Sequence, residues 1–457
     1  MHRLKTLYKW ICSFIVVWLM AHSLITSAAS ASSISYIRDT EIENAIRYYC
    51  QPIFEVAGLD AASVNIHIIN DKRLNAFVAQ GQQIFINTGT IAAAEKPEEV
   101  IGVLAHETGH ITGGHLSQLY ANYERAQDIN IAAAVLGIPL AILSGQPEVA
   151  IAALGLGSQV ATRGFLKYTR ANEEAADQAA LTFLDAAGIT SEGMLTFLNK
   201  IHKQSQIYSD AQNPYSQTHP LTQSRVNFVE HHTQRSSYTG KKMSEEFYRI
   251  HDRIRAKIIG YVDGLETVNK VYPESDNSIP AQYARAIAHK ENGNYDLSLE
   301  IVRSLQAQVP EDPFFIELEG DILLDAARIE ESIEAYDRAL AIIPWAALIH
   351  QNAGRARIET QDPELLPAAL KNLKTAARLE PNVSSNWRLL ATVYGRMGDQ
   401  ANTALALAEE ALLRNRLPNA VTQSNKALDL LPRGSAGWLR AEDINLRAKD
   451  LQKDKKS

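Results

Sequence analysis

Cysteine is nearly absent from this 457-residue chain, which holds only Cys12 and Cys50. Cys12 falls in a leader-like N-terminal segment, so the mature chain keeps Cys50 alone, and a lone cysteine excludes an internal disulfide. Stability must then come from packing and from metal. Cys12 also lacks the small residues that precede a lipid-bearing cysteine, which excludes a lipoprotein anchor. An excess of positive charge is missing too, and the formal charge of −7 argues against a nucleic-acid-binding surface. Nor does any apolar run reach the ~20 residues of a bilayer-spanning helix. The candidates are 10–21 near the N-terminus, and 131–143 and 149–156, which are separated by Ser144-Gly145-Gln146-Pro147. Gly137 and Pro139 weaken the first of the latter two as a helix. Between Asp128 and Arg163 the only charge is Glu148. Residues 131–156 are therefore read as a helical hairpin that either caps a core or makes a peripheral membrane contact with its apolar tip.

At the N-terminus Arg3, Lys5 and Lys9 precede the apolar run, and Ser27-Ala28-Ala29-Ser30-Ala31 follows it. Basic, apolar, then small is the layout of a secretory signal peptide, here expected to end after Ala29 or Ala31. The length of the remainder allows two or three domains.

The chemistry centres on His106-Glu107-Thr108-Gly109-His110. Helical residues four apart lie about 40° apart on one face, so both imidazoles can converge on one Zn²⁺. Glu107 then stands close enough to take the proton of a water at an open corner. Lys96-Pro97-Glu98-Glu99 supplies a helix start, with Pro at the first position and acids at the positive dipole end. Val100, Val103 and Leu104 give the apolar stripe of an amphipathic helix. The metzincin pattern needs a third histidine at 116, where Leu116 stands, and His115 is about 140° round the helix from His110.

Before this helix, 64–70, 75–79 and 83–87 read as strands of a small antiparallel sheet, whose edge could pair with an extended peptide. A helix is expected over 36–60. After the metal helix, Asn172-Glu173-Glu174-Ala175-Ala176-Asp177 reads as another helix start, with Asn172 as cap and the acids favouring the dipole. On a functional reading Glu173 is the third zinc ligand, and Asp177, one turn on, accepts a hydrogen bond from a ligand histidine. A polar run, 204–218, leads to His219-Pro220, and 244–259 reads as the helix that closes the first domain.

These motifs in this order, with Thr218-His219-Pro220 and Arg225 six residues after the histidine, resemble the HtpX/CAAX-prenyl-protease type of zinc metallopeptidase. The likeness is strongest over 72–230. It implies a gluzincin-type fold with one Zn²⁺ held by His106, His110 and Glu173, with Asp177 behind them, Glu107 as the base, and His219 and Arg225 flanking the metal with catalytic roles. It also implies a periplasmic endopeptidase acting on unfolded or misassembled outer-membrane proteins. His219 has two distinct options: an oxyanion donor, or a fourth zinc ligand that keeps the enzyme latent.

Pro310, Pro344 and Pro381 are spaced by 34 and 37 residues, near the 34-residue tetratricopeptide period. Gly320, Tyr336 and Ala339 occupy the small and aromatic slots of one unit, Ala369 and Ala376 those of the next, with an insertion at Asp362-Pro363, and Trp387, Leu390, Tyr394 and Gly398 those of a third. Such repeats stack into a solenoid whose concave face binds segments of other proteins, here expected to be substrates or the outer-membrane assembly machinery. The expected plan is an α+β, mainly helical chain: signal peptide 1–31, zinc metallopeptidase domain 32–265, tetratricopeptide array 280–435, and charged tail 436–457. The rival reading is a chaperone or scaffold in which zinc is structural, and the presence of Glu107 disfavours it.

Overall fold

The computed structural model describes residues 35–79, 82–115, 117, 159–207, 215 and 218–454. The expected signal peptide, the apolar stretch 131–156 and most of the polar run before His219 lie outside these residues. Among the described residues no helix is long and apolar enough to cross a membrane. Residues 36–114 and 171–457 belong to one compact unit that holds both the sheet and the repeat array.

The chain enters through a two-residue strand, β1 (Tyr36–Ile37), rather than a helix from residue 36. Asp39 then caps α1 (Thr40–Ala57) through its side chain, which accepts from the Ile42 N–H, and Gly58 ends it in the left-handed region. The strands β2 (Asn65–Ile69), β3 (Ala76–Ala79) and β4 (Gln83–Asn87) follow as the alternation indicates. Their assembly differs from the expected antiparallel sheet. The order is β1-β2-β4-β3, with β2 parallel to β4 and only the outer pairs antiparallel. The β3–β4 hairpin folds back so that β4 lies beside β2 and β3 becomes an edge.

After α2 (Thr88–Ala93) comes α3 (Pro97–Thr112), with Pro97 at its start and Glu98 and Glu99 in its first turn. The expected amphipathic face is absent because every residue from Pro97 to His110 is buried. The helix packs against α1, β3 and α5 (Glu192–Ile207), so it runs through the core rather than over it. Between them α4 spans Gln159–Ala186 without interruption. Asn172 is therefore not a cap: the helix starts thirteen residues earlier, and Glu173 and Asp177 are mid-helix neighbours one turn apart. Thr222 caps α6 (Gln223–Arg235) by accepting from the Arg225 N–H.

The helix α7 (Glu245–Val262) does not simply close the first domain. It packs on α1 and α2, and also on α9 (Ile279–Glu291), which follows the short α8 (Gly264–Val271). Its buried cations meet acids from both sides. Lys257 Nζ lies 2.8 Å from Asp39, and Arg253 bonds Glu41 at 2.7 Å and also Asp312. Tyr283 donates to Glu41 at 2.8 Å, and Thr40 donates to Glu317 at 2.7 Å.

Pairing continues with α10 (Tyr295–Gln308), α11 (Pro313–Asp325), α12 (Ile329–Ile342), α13 (Ala347–Glu359), α14 (Leu366–Leu379), α15 (Ser384–Arg396), α16 (Gln400–Leu413), α17 (Leu417–Leu430) and α18 (Ala436–Asp454). First helices begin at 279, 313, 347, 384 and 417, spacings of 34, 34, 37 and 33. The long interval contains a 3-10 turn at Pro363–Leu365, the expected insertion. Gly320 is glycine because a Cβ there would stand 2.7 Å from the Tyr336 ring, the contact that joins α11 to α12. Residues 436–454, read from sequence as a charged tail, instead form a closing helix that buries Ala441, Ile444 and Ala448.

Candidate metal centre

Three elements deliver the site. His106, Glu107 and His110 come from α3, Glu173 and Asp177 from α4, and His219 from the segment ahead of α6. The helices can meet because residue 109 has no side chain. A Cβ on Gly109 would stand 2.7 Å from the Ala176 carbonyl oxygen and 3.0 Å from its Cα. That close approach puts Glu173 opposite the two α3 histidines. Gly109→Ala should therefore force α4 outward, cost about 1–3 kcal/mol, and lower zinc retention. Thermal unfolding and metal content read both, and unchanged metal content would show that the approach is not needed.

One ligand atom each from His106, His110, Glu173 and His219 falls within 4.8 Å of all the others, and all four residues are buried. His106 Nε2 is 3.1 Å from His110 Nε2, 3.4 Å from His219 Nδ1 and 3.3 Å from Glu173 Oε2. Glu173 Oε1 is 3.2 Å from both His110 Nε2 and His219 Nδ1. Donors at the corners of a tetrahedral zinc, with bonds of about 2.0–2.2 Å, stand about 3.3–3.6 Å apart. The protons support the same conclusion. His106 Nδ1 lies 3.0 Å from Asp177 Oδ1, a carboxylate that favours the proton on that nitrogen and leaves Nε2 to face the cluster. His219 Nε2 donates to the Ala76 carbonyl at 3.0 Å, so its Nδ1 also presents a lone pair. Lone pairs and a carboxylate converging at these distances repel one another unless a cation lies among them. The residues present fit Zn²⁺.

Without a cation among the donors, the acids of the cluster hold a proton on His106 instead. Burial opposes charge on His106, but Asp177 and Glu173 outweigh it and raise its pKa to about 10. Burial lowers that of His110. Burial would raise the Glu173 carboxyl, yet His219, Arg225 and the other histidines hold it well below the usual carboxylate range. Asp177 is likewise held down, by its Arg225 and His106 contacts acting against burial.

Arg225 does reach the site, although not its centre. Its Nε and Nη2 form a two-pronged contact with Asp177 at 2.7 and 2.9 Å, and its Nη1 lies 2.8 Å from Glu173 and donates to the Pro220 carbonyl at 3.1 Å. Glu107 is fully buried and neither of its oxygens accepts a hydrogen bond. The nearest recorded contact is His219 Nε2, at 3.5 Å from Oε1. His115, the other histidine near the motif, is not in the four-residue group.

Sequence reasoning missed several parts. The Ala76 carbonyl, on the open edge of β3, anchors His219, and the Tyr215 ring lies 4.9 Å from the His219 ring. Thr218 donates to Asn75 at 3.1 Å, tying the same segment to the start of β3. The sequence marked 75–79 only as a strand.

Residues 37–233 match the model of peptidase family M48. The beta-barrel assembly-enhancing protease of Escherichia coli (strain K12) is 26% identical over 80% of this chain and 75% of its own. The mitochondrial metalloendopeptidase OMA1 of Schizosaccharomyces pombe is 25% identical over 39% of this chain and 49% of its own. Among solved structures, the crystal structure of MamA is matched over 37% of this chain and 95% of its own at 15% identity, with a TM-score of 0.28. The similarity to the relatives spans the centre and the array, and His106, His110, Glu173 and His219 lie together in one buried cluster inside the matched segment: the chain is a peptidase whose residues 37–233 resemble peptidase family M48.

Proposed function

We propose that this chain is a periplasmic zinc endopeptidase for unfolded or misassembled outer-membrane proteins, held latent by His219. The observation that carries the reading is the set of four buried donors, five of whose six separations are 3.1–3.4 Å, beside a buried carboxylate that accepts no hydrogen bond. His106, His110 and Glu173 hold Zn²⁺, Asp177 orients His106, and Arg225 positions both carboxylates. Bound there, zinc supplies Lewis acidity. Glu107 takes the proton of the attacking water and delivers it to the leaving amine. Buried oxygens that accept no hydrogen bond suit that task. A substrate segment adds as a strand to the open edge of β3, which supplies main-chain hydrogen bonds with little sequence demand. His219 competes with both events, since it fills the fourth donor position and occupies the Ala76 carbonyl on that edge.

The beta-barrel assembly-enhancing name of the relatives supports outer-membrane proteins as substrates, and the N-terminal signal pattern supports export. The array then captures substrates or assembly partners. A closed set of four donors also favours the second reading, a structural zinc in a scaffold, because structural sites lack an open position. His219→Ala tests the latch, since a scaffold with structural zinc gains no hydrolysis from it. Casein digestion should rise about tenfold if the closed form holds nine-tenths of the molecules. Digestion slower by about 10²–10³ would make His219 an oxyanion donor instead, and an unchanged rate would remove it from the reaction.

A further inference from the structure

The far end of the array contains a groove of about 550 Å³ walled by α15, α16 and α17. Its charged groups are unevenly matched. Arg388, Arg414 and Arg416 all face a single oxygen, Oε1 of the nearly buried Glu410, at 3.9, 3.3 and 4.0 Å. Arg388 and Arg416 line the groove with Glu410, and Arg414 stands next to it. The neighbouring acid behaves otherwise: Glu409 is gripped by Arg440 through two prongs, one of them 2.8 Å long. Each guanidinium carries five N–H donors in a planar fork suited to a carboxylate. Three forks sharing one oxygen at these lengths leave most of those donors unspent. The three side chains are 67%, 43% and 50% exposed, so the unspent donors face the groove mouth and solvent. Three cations against one acid leave an excess of two positive charges, on a chain whose total is −7.

The geometry points to a docking site for an extended acidic segment of another protein, one that brings two side-chain carboxylates to the arginines. Two are needed because the cations stand on separate elements, Arg388 on α15 and Arg414 and Arg416 in the turn after α16. A single C-terminal carboxylate would satisfy only one of these positions. The remaining lining suits a peptide backbone. Asn419 and Gln423 make no side-chain hydrogen bond among the described residues, and each offers an amide donor and acceptor. No aromatic side chain lines the groove to stack on a base. This deepens the capture role proposed above and rests on it.

The test uses the full-length chain carrying Glu107→Gln, so that a probe peptide survives, and follows fluorescence anisotropy. The probe is a short capped peptide with two glutamates two residues apart. It should bind, weaken as salt rises from 50 to 300 mM, and lose about tenfold or more in affinity when both glutamates become glutamine. Arg388→Gln with Arg416→Gln should cause a similar loss without changing the melting temperature, since both side chains are largely exposed. Equal binding of the glutamine peptide, or by the double variant, would overturn the proposal. So would displacement by inorganic phosphate as effective as by the peptide, which would mark a generic anion patch. A single free C-terminus restoring full affinity to the glutamine peptide would overturn the two-carboxylate fit. None of these readings depends on hydrolysis, so they stand apart from the outcome for the peptidase itself.

Discussion

Glu107→Gln should leave the zinc content and melting temperature of the protein near those of the wild type, while digestion of casein or unfolded porin falls by about three orders of magnitude or more. The amide keeps the shape of the side chain but cannot accept a proton at neutral pH. The ligands, Asp177 and Arg225 are untouched. Folding should not suffer, because the wild-type carboxylate accepts no hydrogen bond and its nearest recorded contact is 3.5 Å away. Relief of that buried charge could even raise stability slightly. Digestion at near the wild-type rate would overturn the base assignment and favour the structural-zinc reading.

The second large effect concerns Arg225, which is 1% exposed and lies between two buried acids. Arg225→Ala removes the guanidinium that contacts both Glu173 and Asp177. Breaking a buried pair in this way costs about 3–5 kcal/mol, since an uncompensated charge is left behind. Urea unfolding of the zinc-loaded and the metal-stripped protein should show the loss in both, and more in the stripped form, where zinc no longer balances Glu173. Arg225→Lys should recover part of it, because a point charge cannot reproduce the two-pronged grip on Asp177. The pH dependence has a definite sign. Both carboxyls are held below their ordinary range in the folded protein, so their stabilisation is complete above the unfolded values of about 4 and drains away as pH falls through the depressed ones. The Arg225→Ala protein should therefore lose less stability than the wild type on acidification. An unfolding midpoint equal to the wild type at neutral pH would show that the pairs contribute nothing.

What could be read from the sequence follows the range of each interaction. The two histidines were legible because helical periodicity alone places them on one face, and Glu107 because it directly follows the first of them. Glu173 lies 63 residues beyond His110, and its own neighbourhood reads equally well as a helix start. Family resemblance singled it out, and the unbroken α4 removes the capping alternative. The strands were visible in the alternation of 64–70 and 83–87, but alternation says which face is buried, not which strand lies alongside. The parallel pairing of β2 with β4 was therefore hidden. Hidden for the same reason were Asp39, Glu41, Arg253 and Lys257, which look like ordinary solvated helix charges until elements some 220 residues apart are brought together. The repeats were legible because they are a local, periodic solution, and only their last helix was misread, through the weight of its lysines.

Those same buried charges change how the array should melt. Free-standing solenoids interact only with nearest neighbours, so they can fray from either end one unit at a time. Here the array is stitched sideways to α1 and the residues just before it: Tyr283 bonds Glu41, Arg253 bridges Glu41 to Asp312, Thr40 reaches Glu317, and Arg38 grips Glu380 at 2.7 Å. Heat cannot release the early pairs without also stripping the helix on which α3 is packed. Loss of the first three pairs and loss of the peptidase core should then coincide in one cooperative transition, while the distal pairs that carry the arginine groove are left to fray on their own.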